Sequence, residues 1–84
     1  MNSRQQKTLD ATFSNPVQSG IRWSDIVSLF KGLKAVVTEG RGSRVRVFLN
    51  GLKADFHRPH PEPTTDKGAV RSVREFLTRA GVGP

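Results

Sequence analysis

The chain contains no cysteine, so disulfides and thiolate metal sites are excluded. Long apolar runs are missing too: nothing approaches the roughly 18 residues that a spanning helix needs. The opening MNSRQQKTLD is polar and lacks the apolar core of a secretory signal, so the expected location is the cytoplasm. Acids are scarce, seven Asp and Glu against fourteen Lys and Arg, for a formal charge of +7. In so small a chain that excess calls for a polyanionic partner, either nucleic acid or an acidic protein. A membrane surface is not expected, because no helix pairs a basic face with a long exposed apolar one. Histidine is limited to His57 and His60, and the seven carboxylates are scattered singly without His-x-x-x-His or paired-acid spacing. Neither a metal nor any other cofactor is therefore expected.

What is present fits one domain over residues 1–84, with residues 1–20 as an N-terminal helix and connection and residues 21–82 as the main core. A chain of 84 residues hides a small share of its surface, so its stability is expected to be marginal or assisted by a partner. Residues 2–14 predict a helix capped by Ser3, with Leu9 and Phe13 on one face, ended by Asn15-Pro16. Ser24 can cap a second helix, with Asp25 in its first turn and Ile26, Leu29, Phe30 and Leu33 as its buried stripe. Trp23, Phe13 and Phe30 are expected in the core.

From Lys34 the period changes. Residues 35–38, rich in β-branched side chains, predict a strand that ends at Gly40-Arg41-Gly42-Ser43. Residues 43–57 then carry two alternating runs about Asn50-Gly51, the sequence signature of a two-residue type I′ hairpin. That turn fixes the register. Leu49 faces Leu52, Val47 faces Ala54 and Val45 faces Phe56 on the buried side. On the outer side Phe48 faces Lys53, Arg46 faces Asp55 and Arg44 faces His57.

Pro59, Pro61 and Pro63 remove ladder donors, so residues 58–63 predict an extended exit loop. Thr65 or Asp66 caps a last helix over residues 67–80, stopped by Gly81, with Ala69, Val70, Val73, Phe76, Leu77 and Ala80 on its apolar arc. Lys67, Arg71 and Arg74 align on a separate face. The resulting class is α+β: a three-stranded antiparallel sheet, helices on one side and a basic surface on the other. Without the first helix, α-β-β-β-α is the order of double-stranded-RNA-binding domains.

At Gly42-Ser43, the hairpin, His60-Pro61 and residues 66–81, the chain resembles the HicA toxins of bacterial toxin–antitoxin pairs, over roughly residues 22–82. The order and spacing of these elements carry the likeness, since Gly-Ser and His-Pro are each common. The resemblance implies a double-stranded-RNA-binding-like fold, mRNA cleavage and neutralisation by a HicB-type antitoxin. There are two departures. The family's catalytic histidine falls just after Gly-Ser, where this chain has Arg44 and Val45, and neither side chain can shuttle a proton near neutral pH. The first helix also precedes the family's usual start.

Metal-free RNA cleavage needs a base for the ribose 2′-OH, a donor for the leaving oxygen and cations for the developing charge, and histidine suits the proton steps. The register sets His57 opposite Arg44, one strand over from where the family keeps its histidine, which makes His57 the candidate base and Arg44 its phosphate-binding partner. His60, between prolines, serves either the loop or the RNA. Around them lie Arg41, Gly42, Ser43, Arg46, Lys53 and Arg58, the expected RNA contacts, with Asp55 as the only acid in residues 40–60. Phe48 interleaves with these cations as a base-stacking aromatic would, unless the first helix or a partner covers it. Two further readings stay open: a non-catalytic RNA-binding module, and a protein-interaction domain with a basic face.

Overall fold

At the tip of the hairpin Asn50 and Gly51 take φ values of 51° and 80°, the positive pair that a type I′ turn demands. In the computed structural model, which describes residues 1–84, this turn joins β2 (Arg44–Leu49) to β3 (Leu52–His57). The pairing is the expected one, from Leu49 opposite Leu52 to Arg44 opposite His57. β1 (Val36–Glu39) adds antiparallel on the other side of β2, giving the order β1-β2-β3. It lies one residue later than the sequence pattern suggests. Lys34, at φ 69°, completes the turn out of the preceding helix before the extended run begins.

Alternation sorts the sheet into two faces. Val45, Val47, Leu49 and Phe56 are buried against the helices, while Leu52 and Ala54 are half-buried at the margin. The second helix, α2 (Trp23–Gly32), and the third, α3 (Lys67–Arg79), supply the rest of the core. Ile26, Leu29, Phe30, Val73, Phe76 and Leu77 all join it. Phe30 stacks on Phe56 at 5.7 Å between ring centroids, and Phe76 meets Phe56 edge-on at 5.8 Å. Trp23 closes the cluster against Phe56 at 6.2 Å. The three aromatics expected inside divide: Trp23 and Phe30 are buried, whereas Phe13 is only partly so.

The N-terminal helix α1 (Ser3–Thr12) docks on this assembly. Leu9 is buried in the common core. Gln5 donates to the Ser28 carbonyl at 2.9 Å and to its hydroxyl at 3.1 Å. Gly32 makes room for it, since a Cβ there would stand 2.6 Å from the Gln5 amide. α1 is shorter than residues 2–14, and its cap is Asn2 rather than Ser3: Asn2 accepts from the Gln5 N–H while Gln5 reaches back to the Asn2 N–H.

Ser24 does not cap α2. That helix starts two residues earlier, with Arg22 at the cap position and no side-chain bond. A tertiary pairing takes the cap's place. Arg22 bridges to Thr64, and the Trp23 N–H donates to the Pro63 carbonyl at 3.0 Å. At α3 the capping residue is Asp66, which accepts from Ala69 N–H at 2.7 Å. Thr65, the other candidate, instead ties the loop to Ile21. The observed class is α+β in the order α-α-β-β-β-α.

Candidate functional site

The chemistry-bearing residues gather where β2 begins and β3 ends. The Arg58 N–H donates to the Ser43 carbonyl at 2.7 Å, and Gly40 N–H to the Arg44 carbonyl at 2.8 Å, closing the sheet at this end. Gly42, at φ 62°, lets the chain turn between β1 and β2. Arg44 and His57 are then directly paired across the strands and both exposed on the outer face. Ser43 Oγ lies 3.4 Å from His57 Nδ1, a long contact that steers the ring and leaves Nε2 for another partner.

The five cations of this region are not equivalent. Arg46 forms a two-pronged pair with Asp55, Nε to Oδ1 at 2.8 Å and Nη2 to Oδ2 at 3.2 Å. The hydrogen bond from Arg46 holds the Asp55 carboxyl below its usual range, against an opposing effect of desolvation and with help from the charges of Arg46, Arg44 and Lys53. The same bond pushes the Arg46 guanidinium further up. Arg58 is engaged as well. It pairs with Glu39 at 3.2 Å and donates to the Gly42 carbonyl at 3.3 Å, which makes it a brace of the loop. Arg41, Arg44 and Lys53 have no carboxylate partner.

Two concavities adjoin the pair. A basic dish on the outer face is lined by Thr38, Gly40, Arg41, Arg44 and Arg46. On the other side of His57 an open groove of about 610 Å³ runs between the exit loop and the start of α3. His57, His60, Glu62, Asp66 and Trp23 are among its lining residues. His60 also borders Gly42, Ser43 and Arg58, so it faces the same corner of the molecule as His57. The arrangement offers an exposed imidazole flanked by free guanidinium groups, with a second imidazole nearby. No group of three His, Asp or Glu is placed to hold a metal ion. No helix is long and apolar enough to cross a membrane.

The α3 stripe behaves differently from its sequence reading. Lys67 and Arg71 are exposed as expected, but Arg74 is not part of a free cationic face. It donates to the carbonyls of Thr12 at 2.8 Å and Ser14 at 2.6 Å and to Asn15 Oδ1 at 3.3 Å. Its guanidinium also sits 5.9 Å from the centre of the Phe13 ring. These contacts neutralise the C-terminal end of α1, which has no cation of its own in its last turn. Asn50 carries a second unanticipated role, donating to the Ala80 carbonyl at 2.8 Å and so fastening the hairpin tip to the end of α3. Each partner lies 30 or more residues away, so no local pattern marks either contact.

Residues 23–82 match the family model described as HicA toxin of bacterial toxin-antitoxin. No curated protein and no solved structure matches the chain. The matched span contains the whole sheet, α2, α3 and the exit loop, and it leaves out α1.

Proposed function

Because this chain belongs to the HicA toxin family, we propose that it acts as the toxin of a toxin–antitoxin pair by binding mRNA on its outer sheet face and cleaving it without a metal. The observation that carries the reading is the exposed cross-strand pair Arg44–His57, with the unpaired Arg41 lining the same dish as Arg44. His57 takes the proton from a ribose 2′-OH. The freed oxygen attacks the adjacent phosphorus and the 5′-oxygen leaves, giving a 2′,3′-cyclic phosphate. Arg44 and Arg41 hold the phosphate and its growing negative charge, which a guanidinium fork suits in both shape and charge. Ser43 sets the imidazole's angle, and His60, which lines the same groove as His57, protonates the leaving oxygen in this reading. Lys53 and, once released from Asp55, Arg46 extend the contact along the RNA backbone. Arg58 acts through the loop.

The family sets the chain against an antitoxin; a HicB-type protein covering the basic face is the partner this reading favours, with the cytoplasm as the place of action. The core at residues 21–82 and α1 work as one unit, since α1 is bonded to both α2 and α3. A second reading has a specific observation behind it: Arg44 stands where the family's histidine is expected, which suits a binding module that has lost cleavage. One assay separates the two. Purified protein is incubated with RNA in EDTA, and the product ends are read by mass spectrometry. Cyclic phosphate ends that vanish in His57→Ala support the enzyme; intact RNA with salt-sensitive binding supports the module.

A further inference from the structure

We propose that Phe48, with Val36 beside it, is a stacking platform for an unpaired base, so that the RNA read by this face is single-stranded. The inference rests on the RNA-binding reading above and adds the class of RNA and a positioning residue to it. Phe48 is neither covered by α1 nor packed in the core. It is 42% exposed and its cross-strand neighbour Val36 is 60% exposed; Met1 is the only other large apolar side chain that is exposed. The register lines them up in one row, Val36 opposite Phe48 and Phe48 opposite Lys53. An aromatic ring flanked by an aliphatic side chain and an ammonium group matches one nucleotide, whose base is flat and apolar on its faces and whose phosphate is anionic.

Position along the strand supports the same occupant. Arg44 and Phe48 are four residues apart on one face of β2, a separation of about 13 Å. The basic dish starts between them at Arg46 and continues past Arg44 to Arg41. A strand that enters over Phe48 and crosses the dish brings a phosphate to His57 within about four bases at the ~3.4 Å stacked spacing. A duplex keeps its base faces inside the stack and cannot offer one to Phe48. An acidic protein could use the cations, but it has no need of a ring of this kind beside them.

The test is equilibrium binding to ten-nucleotide 2′-O-methyl RNA, which cannot be cleaved through its 2′ oxygen, as single strand and as duplex. Wild type should prefer the single strand. Phe48→Ala should lose that preference, with single-strand affinity falling roughly ten- to hundredfold, whereas Phe48→Tyr should keep it. Moving an abasic site along the strand should reproduce the loss at one position in wild type and at none in Phe48→Ala. Phe48→Leu reads the ring itself: full affinity would mean that the patch is an apolar surface for a protein, and the proposal falls. Equal binding of duplex and single strand, or an unaltered Phe48→Ala, overturns it as well. Arg44→Ala keeps the two levels apart. If Arg44→Ala weakens binding while Phe48→Ala does not, only the platform is wrong; if neither binds differently from wild type, or wild type does not bind, the RNA reading fails with it.

Discussion

Arg44 and Arg74 look alike in the sequence, each a member of an evenly spaced basic set on an amphipathic element, yet the fold uses them in opposite ways. Arg44 stands on the sheet with its guanidinium free beside His57. Arg74 is consumed by three oxygen acceptors at the end of α1. A basic stripe is therefore not yet a binding surface; what matters is whether other parts of the chain offer the cations their own acceptors. On the sheet only Asp55 and Glu39 compete, and they take Arg46 and Arg58, not Arg44. On α3 the open carbonyls of a docked helix end lie within reach, and helix ends always leave such carbonyls unpaired.

The largest effect expected is on chemistry. His57→Ala should reduce RNA cleavage by at least about 100-fold, the usual worth of a positioned base, and abolish growth arrest on expression. As an exposed strand-end residue it should change stability by no more than about 0.5 kcal/mol, which thermal unfolding will check. Cleavage that survives His57→Ala but not His60→Ala would move the base across the corner into the loop. Survival in both would remove histidine from the mechanism.

Next comes the other arm of the comparison. Arg74→Ala should cost about 2–3 kcal/mol, because it strips charged hydrogen bonds from partly buried carbonyls. For a domain of this size that is a fall in Tm on the order of 10 °C. Arg74→Lys should recover only part of it, since one ammonium cannot serve three acceptors held in a fork. Arg71→Ala, on the same helix but exposed, should be nearly silent. An Arg74→Ala variant of unchanged Tm but weakened RNA binding would erase the distinction between the two arginines.

Arg44→Ala is the mirror experiment. Stability should hold, while the slope of log affinity against log salt concentration should flatten by roughly one unit for the lost phosphate contact. Loss of stability without a change in slope would make Arg44 a structural residue.

How much of this was legible beforehand follows from the range of the interaction concerned. The hairpin register, the two faces of the sheet and the pairing of Arg44 with His57 all follow from Asn50-Gly51 and alternation, which are local and leave one solution. For the cap of α1 the sequence offers two equivalent solutions, since Asn2 and Ser3 each have a glutamine three residues on; the fold takes Asn2 with Gln5, which also bonds Ser28, while Gln6 pairs with Asp10. The start of α2 was missed for a different reason. Its first N–H, that of Trp23, is satisfied by the Pro63 carbonyl 40 residues on, so the helix has already begun before Ser24. Arg58, expected as an RNA contact, has bonds to Glu39 and Gly42 that the sequence does not announce, because those partners meet it only once the sheet has closed.

The smallest effect concerns Arg46, which lies between the two extremes: on the sheet face like Arg44, yet held by a partner like Arg74. Its pair with Asp55 is exposed on both sides, at 43% and 46%, and an exposed pair contributes little to stability. Asp55 is held below the usual carboxylate value of 3.8, chiefly by the Arg46 hydrogen bond. A lowered pKa in the folded state means that the stabilisation is fully present above the unfolded value and fades as pH falls through the folded one. Wild type and Asp55→Asn should therefore differ slightly in Tm near neutral pH, begin to converge below about pH 4, and meet only once the pH has fallen past the lowered folded value, where Asp55 loses its charge. RNA binding should move the other way. Asp55→Asn releases a guanidinium and removes a negative charge from the face, so affinity should rise and the salt slope steepen by up to about one unit. Arg46→Ala, in turn, should weaken binding less than Arg44→Ala, because its guanidinium must first leave Asp55. If Asp55→Asn leaves the slope unchanged, Arg46 lies off the path of the RNA and belongs with Arg74 as a residue that holds the fold.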